Sequence, residues 1–206
     1  MYSYFPICDT VKDPEDNPPA EPSRAARAQA RTKSATASAA AAEAPVADID
    51  RFARFMRASK APPRDTTLAV TDPAKRGSQQ FDKVGCATCH VRTLVTAPEG
   101  HKINGGQLAV PAALASRVFH PFGDFLLHDM GSLGDGITSG VAGPTMMRTA
   151  PLWGVRAKSR LLHDGRAEDV SEAIDFHDGQ GAAARNAFHA LSPANQQKVL
   201  DFINTI

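Results

Sequence analysis

Hydrophobic and polar positions along this chain fall into helical periods in two regions, and these flank a stretch with no period at all. From Asp48 to Arg57 the apolar residues Ile49, Phe52, Phe55 and Met56 recur at helical spacing with arginines on the other side, which predicts an amphipathic helix ended by Pro62 and Pro63. A second helix is expected from Asp72, read as its N-cap with Pro73 at the first helical position, through Phe81 towards Gly85. Near the C-terminus, Asp169 followed by Glu172 forms a capping-box-like start for a helix from Val170 to about His177. Ser192 and Pro193 then open a final helix whose buried stripe is Val199, Leu200, Phe202, Ile203 and Ile206. Between Val91 and Gly143 the glycine-rich text reads as loops with a short strand pair. No internal repeat is visible.

Composition changes this picture mainly at the N-terminal end. From Pro18 to Pro45 alanine dominates and large apolar residues are absent, so the stretch cannot offset the entropy of ordering. The expected organisation is therefore a disordered tail or linker over residues 1–45 and one mainly α domain over residues 46–206. The opening residues lack the basic start and apolar core of a secretory signal, and no apolar run is long enough to span a membrane. With Lys+Arg 23 against Asp+Glu 22, the net charge of +1 makes nucleic acid or an anionic membrane no natural partner.

Chemistry concentrates at Cys86-Ala-Thr-Cys89-His90. In a Cys-x-x-Cys-His motif two thiols bond to the vinyl groups of haem and the adjacent imidazole ligates iron, because one turn of chain spans the two vinyl positions and sets the next residue under the metal. Chance would produce the pattern in a chain of this composition on the order of one time in a thousand. A thioredoxin-like dithiol expects a βαβ surround, and a zinc site expects a second ligand pair; neither is present, and Cys8 stands far away as a bystander thiol. The second axial ligand is open among His101, His120, His128, His163, His177, His189 and five methionines. Position favours His177, which closes a helix where Ala173, Ile174 and Phe176 can line an apolar pocket. His120, Asp124, His128 and Asp129 read either as a polar network beside the haem or as the stays of a long loop.

The segments Phe119 to Gly131, Arg148 to Gly154, Leu161 to Ala167 and Glu172 to His177 together resemble the di-haem oxidoreductase family, whose members include thiol oxidoreductases, and more distantly the di-haem cytochrome c peroxidases. The likeness runs from about Asp48 to Ile206 and corresponds to the C-terminal haem domain. It implies a cytochrome c-like fold with long irregular loops, one covalent haem c on Cys86 and Cys89, and His90 as proximal ligand. It also implies that His177, counted from the His163 turn, occupies the sixth-ligand position; relatives carry Met or Tyr there, so the expected iron is bis-histidine. By the same resemblance His163 and Arg166 lie at the haem edge, Arg166 pairing with a propionate, and Trp153 packs near the porphyrin. A calcium ion between haem domains is a family possibility that no carboxylate cluster here demands.

One departure is large. Family members carry two Cys-x-x-Cys-His motifs and this chain carries one. The expected function is thus an electron-transfer domain serving a redox partner protein or a missing N-terminal haem domain, in the periplasm, where covalent haem is normally attached. The alternatives are a peroxidase-like or thiol oxidoreductase enzyme that needs a second haem half, or a remnant of one.

Overall fold

The computed structural model describes residues 48–103 and 105–206. The tail expected over 1–45 and Cys8 lie outside the described residues. The chain divides into two compact units, one holding residues 48–59 and the other residues 60–206 among those described.

In the first unit, helix α1 (Asp48–Ala58) forms where the periodicity places it, with Asp48 and Asp50 in its first turn and Arg57 in its last, the signs that the helix dipole favours. Its apolar residues Ile49, Phe52, Phe55 and Met56 are exposed.

The second unit is built on two helices. A four-residue helical turn, α2 (Thr66–Ala69), is capped by the Asp65 carboxylate, which accepts from the Thr67 and Leu68 N–H groups. Helix α3 (Asp72–Lys83) follows, and its N-cap is Thr71, one residue earlier than expected. The Thr71 hydroxyl accepts from the Ala74 N–H, leaving Asp72 in the first turn, where its charge faces the positive helix end. Late in the chain come α4 (Val170–Asp175), α5 (Ala182–His189) and α6 (Pro193–Ile203). Asp169 caps α4 through the Glu172 N–H as read from the sequence, and the Glu172 carboxylate accepts from the Glu168 N–H in return.

Helices α3 and α6 cross closely, and glycine makes the crossing possible. A Cβ on Gly77 would stand 1.7 Å from the Lys198 carbonyl oxygen. Around the crossing, Phe81, Val199 and Phe202 are fully buried, with the Phe81 and Phe202 rings edge to face at 5.3 Å. Ile203 and Ile206 complete the stripe, and Phe188 of α5 joins the same core.

Between the helices the chain makes three short antiparallel pairs rather than the one expected. They are β1 (Leu94–Val95) with β4 (Val118–Phe119), β2 (Lys102–Ile103) with β3 (Leu108–Ala109), and β5 (Leu127–Asp129) with β6 (Met146–Arg148). Strands of two or three residues carry no readable alternation, which is why this region looks featureless as text. The architecture is mainly helical with short strands in long loops.

Candidate functional site

Helix α3 ends by turning over at Gly85, whose φ of 93° is a left-handed conformation that suits glycine. The chain then winds through a tight turn, Cys86–Thr88, and the His90 N–H bonds back to the Cys86 carbonyl at 3.0 Å. This local winding sets Cys86, Cys89 and His90 along one wall of a cavity of about 590 Å³. The volume lies within the range of pockets that hold organic cofactors. Burial pushes the Cys86 thiol up to about 11, so it stays protonated at neutral pH; burial also raises the less covered Cys89.

Across the cavity stands His177, just past the end of α4. Its Nδ1 lies 2.8 Å from the Ala173 carbonyl, and the Nδ1 of His90 lies 2.9 Å from the Phe122 carbonyl. A carbonyl oxygen only accepts, so each Nδ1 carries the proton and each Nε2 keeps a free lone pair, the form in which imidazole binds metal. Burial lowers the proton affinity of both rings and favours the neutral state. The two ring centroids are 6.3 Å apart, with planes inclined at 51°.

That separation tests whether a haem fits. Two imidazoles whose centres lie 6.3 Å apart are near enough for both to hold one metal ion. Leu133, Leu152, Val155, Leu161 and Ile174 give the same cavity a largely apolar lining. Donor set, spacing and lining all suit a metal-centred macrocycle.

Other expected residues are divided by the structure. His163 borders the cavity, as do Met130 and Met147. Trp153 is outside its lining: the indole N–H donates to the His120 carbonyl at 2.8 Å, and the ring sits in a cluster with Phe119 and Phe125. Arg166 is outside as well, because its Nε is drawn to Asp164 at 2.6 Å and its guanidinium lies over the Phe176 ring. The cations that do border the cavity are Arg148, Lys158, Arg160 and Arg185. Of the remaining histidines, His120 meets the Thr93 hydroxyl and His189 pairs with Asp175 at 2.8 Å, both away from the cavity.

Three features were not recognised in the sequence as working parts. Arg92, two residues after the motif, has its guanidinium over the rings of Phe81, Phe122 and Phe202 and donates to Asp82 and the Ser78 carbonyl. It fastens the His90 segment to the core by cation–π and ionic contacts together. Gln180 reaches back to His128, which in turn meets Asp124 at 3.0 Å, a polar string at the cavity edge. Asp124 and His128 were grouped in the sequence, but Gln180, 52 residues on, was not. The Asp178 carboxylate, held down to about 2 by hydrogen bonds from the Ser132 hydroxyl and N–H, ties the segment after His177 to the loop at Ser132.

Comparison with known proteins supplies the context. A family model described as "Di-haem oxidoreductase, putative peroxidase" matches residues 24–206. No curated protein matches. Among solved structures the chain is similar to one titled "Kuenenia stuttgartiensis Hydrazine Synthase Pressurized with 20 bar Xenon", at 19% identity over 72% of this chain and 50% of that one, with a TM-score of 0.39. This chain therefore spans half the length of that one.

Proposed function

The chain belongs to the di-haem oxidoreductase family, and on that premise we propose that residues 60–206 form a cytochrome c-like electron-transfer domain with one covalent haem c. Cys86 and Cys89 are the attachment thiols, His90 is the proximal ligand and His177 the distal one. The observation that carries this reading is the His90–His177 pair, 6.3 Å apart across an apolar cavity with both Nδ1 atoms bonded to backbone carbonyls.

When bound, haem supplies a one-electron iron couple. The chain does the rest. The Phe122 and Ala173 carbonyls fix both tautomers, so each Nε2 keeps its lone pair as a neutral donor and no proton must leave before a metal is bound. Leu133, Leu152, Val155, Leu161 and Ile174 offer the macrocycle apolar surface. A haem held by both imidazoles would offer peroxide no open position and would serve to pass electrons. Arg148 and Lys158 border the cavity as counter-charges for propionates, the role first assigned to Arg166. Its electrons are exchanged with a redox partner protein or a second haem domain, and covalent haem sets its location in the periplasm. No helix among the described residues is long and apolar enough to cross a membrane.

The test is spectroscopic. The chain is expressed with a haem-maturation system and its ferric and ferrous spectra are recorded for wild type and His177→Ala. The expected wild type is low-spin and slow to bind cyanide, and the variant is high-spin and quick. A wild type that is already high-spin and takes up peroxide moves the assignment to the peroxidase-like alternative.

A further inference from the structure

The geometry points to a second metal site: in the haem-free chain the Cys89 sulfur, Nδ1 of His128 and Oε1 of Gln180 bind one thiophilic divalent cation of the Zn²⁺ kind, with Asp124 holding the imidazole from behind. Binding of this ion and attachment of haem to Cys89 exclude each other. The exclusion rests on the haem reading above; the site itself does not.

Three separate segments bring the donors together. Nδ1 of His128 lies 3.9 Å from Cys89 Sγ and 3.2 Å from Gln180 Oε1. Zinc bonds of about 2.3 Å to sulfur and about 2.0 Å to nitrogen together exceed the gap between Sγ and Nδ1, so one ion reaches both at a bent angle. The Gln180 amide is held with its oxygen towards the ring, because Oε1 also accepts from the Asp129 N–H at 3.1 Å. Turning the amide over would set an NH₂ group against a backbone N–H. A carbonyl oxygen that accepts one hydrogen bond keeps a second lone pair for a cation.

Behind the ring, Nε2 of His128 lies 3.0 Å from Oδ2 of Asp124, whose other oxygen accepts from the Leu126 N–H at 2.9 Å. Metal-binding histidines are held in this way, the far N–H given to a carboxylate that fixes the ring and strengthens its lone pair. The Cys89 sulfur, an Asp124 oxygen and a His128 nitrogen all lie within 4.8 Å of one another, so the carboxylate charge is felt at the ion as well. Thiolate and carboxylate together match a double positive charge. The His128 and Asp124 side chains are only 17% and 11% exposed, which shelters the pair from competing water. Burial and the Asp124 charge hold the Cys89 thiol protonated while no metal is bound. On binding, the S–H bond breaks, its proton leaves to water and a metal–sulfur bond forms, with no change of oxidation state. No charge on His128 is assumed, since the ion takes the Nδ1 lone pair in place of any proton there. Once Cys89 is joined to a haem vinyl group its sulfur is a thioether, and the thiolate that zinc requires is gone.

Co²⁺ and ¹¹³Cd²⁺ serve as visible probes of the site. The haem-free chain should take up one Co²⁺ with a thiolate-to-cobalt charge-transfer band, and its ¹¹³Cd resonance should report a single sulfur ligand. His128→Ala should lose the band while circular dichroism shows its helices intact, and Asp124→Asn should weaken Zn²⁺ binding by about 10–100-fold. The haem-loaded protein should show no cobalt–sulfur band. A ¹¹³Cd resonance reporting two sulfur ligands puts the ion on Cys86 and Cys89 and overturns the site, as does a wild type without the band or a His128→Ala variant that keeps it. A band that persists after haem loading overturns the exclusion. If no covalent haem forms, the haem reading fails by itself, and the spectra of the haem-free chain still decide the site.

Discussion

The crossing of α3 and α6 and the loop wall of the cavity, roughly residues 118–152, solve opposite problems. At the crossing, apolar side chains fill the contact: Phe81, Val199 and Phe202 are sealed, Gly77 lets one backbone approach the other, and the Arg92 guanidinium lies over the Phe81 and Phe202 rings. In the loop wall, backbone groups are the working parts. The Phe122 carbonyl orients His90, and Phe122 does so from a φ of 50°, a left-handed conformation that a non-glycine residue adopts at a cost. Phe125 in the same wall and Leu162 next to His163 share that strain. The helix pair thus provides stability, and the loop wall spends conformational freedom to aim a few polar atoms.

Substitutions can break this contrast, and the helix crossing should be the most sensitive place. Gly77→Ala puts a methyl group onto the Lys198 carbonyl and the Phe202 Cβ, both backbone-proximal atoms that cannot turn aside. It should cost about 3 kcal/mol in chemical denaturation of the haem-free chain; an unchanged midpoint would mean the helices cross less closely than described. Arg92→Lys comes next, since an ammonium cannot lie flat over three rings or keep the forked contact to Asp82. A loss of about 1–2 kcal/mol is expected, together with faster amide exchange around His90, because Arg92 joins the two regions.

A weaker effect comes from pH. Burial holds the folded-state proton affinities of His90 and His177 below the ordinary histidine value of 6.5. The unfolded chain therefore binds more protons below that pH, so stability is full above about 6.5 and declines as pH falls towards the folded values. Thermal melts of the haem-free chain from pH 7.5 to 5 should show this decline, and replacing both histidines by Gln should flatten it. The smallest effect belongs to the loops: Gly143→Ala, with nothing within 4 Å of the new methyl group, should move stability by no more than about 0.5 kcal/mol.

How much of this was readable in the text varies with the length of the pattern. Helices α1, α3 and α6 and the cap of α4 were legible because a helix repeats its demand on every turn. Helix α5 was not anticipated: of its residues only Phe188 is buried, too little to make a stripe. The N-cap of α3 fell one residue from the expected place because threonine and aspartate both serve as N-caps and their order in Thr71-Asp72 does not choose between them. The cysteine motif was legible since its chemistry needs adjacent residues. His177 was reached through resemblance, and its partner distance was not. Trp153 and Arg166 were set beside the haem by resemblance alone; in the structure the Trp153 indole donates to the His120 carbonyl and Arg166 to Asp164, contacts that neither spacing nor motif shows.

By itself the sequence determined the local things: which segments wind into helices, where they stop, and that two thiols and an imidazole stand in one turn. Only the tertiary structure decided that the His90 and His177 rings lie 6.3 Å apart with each Nδ1 against a backbone carbonyl, and that Asp124, His128 and Gln180 form one string. The physical reason is range. Helical periodicity and motif spacing are set by neighbours within a few residues, whereas the direction of a lone pair depends on which distant carbonyl or amide the folded chain brings to the other nitrogen of the ring.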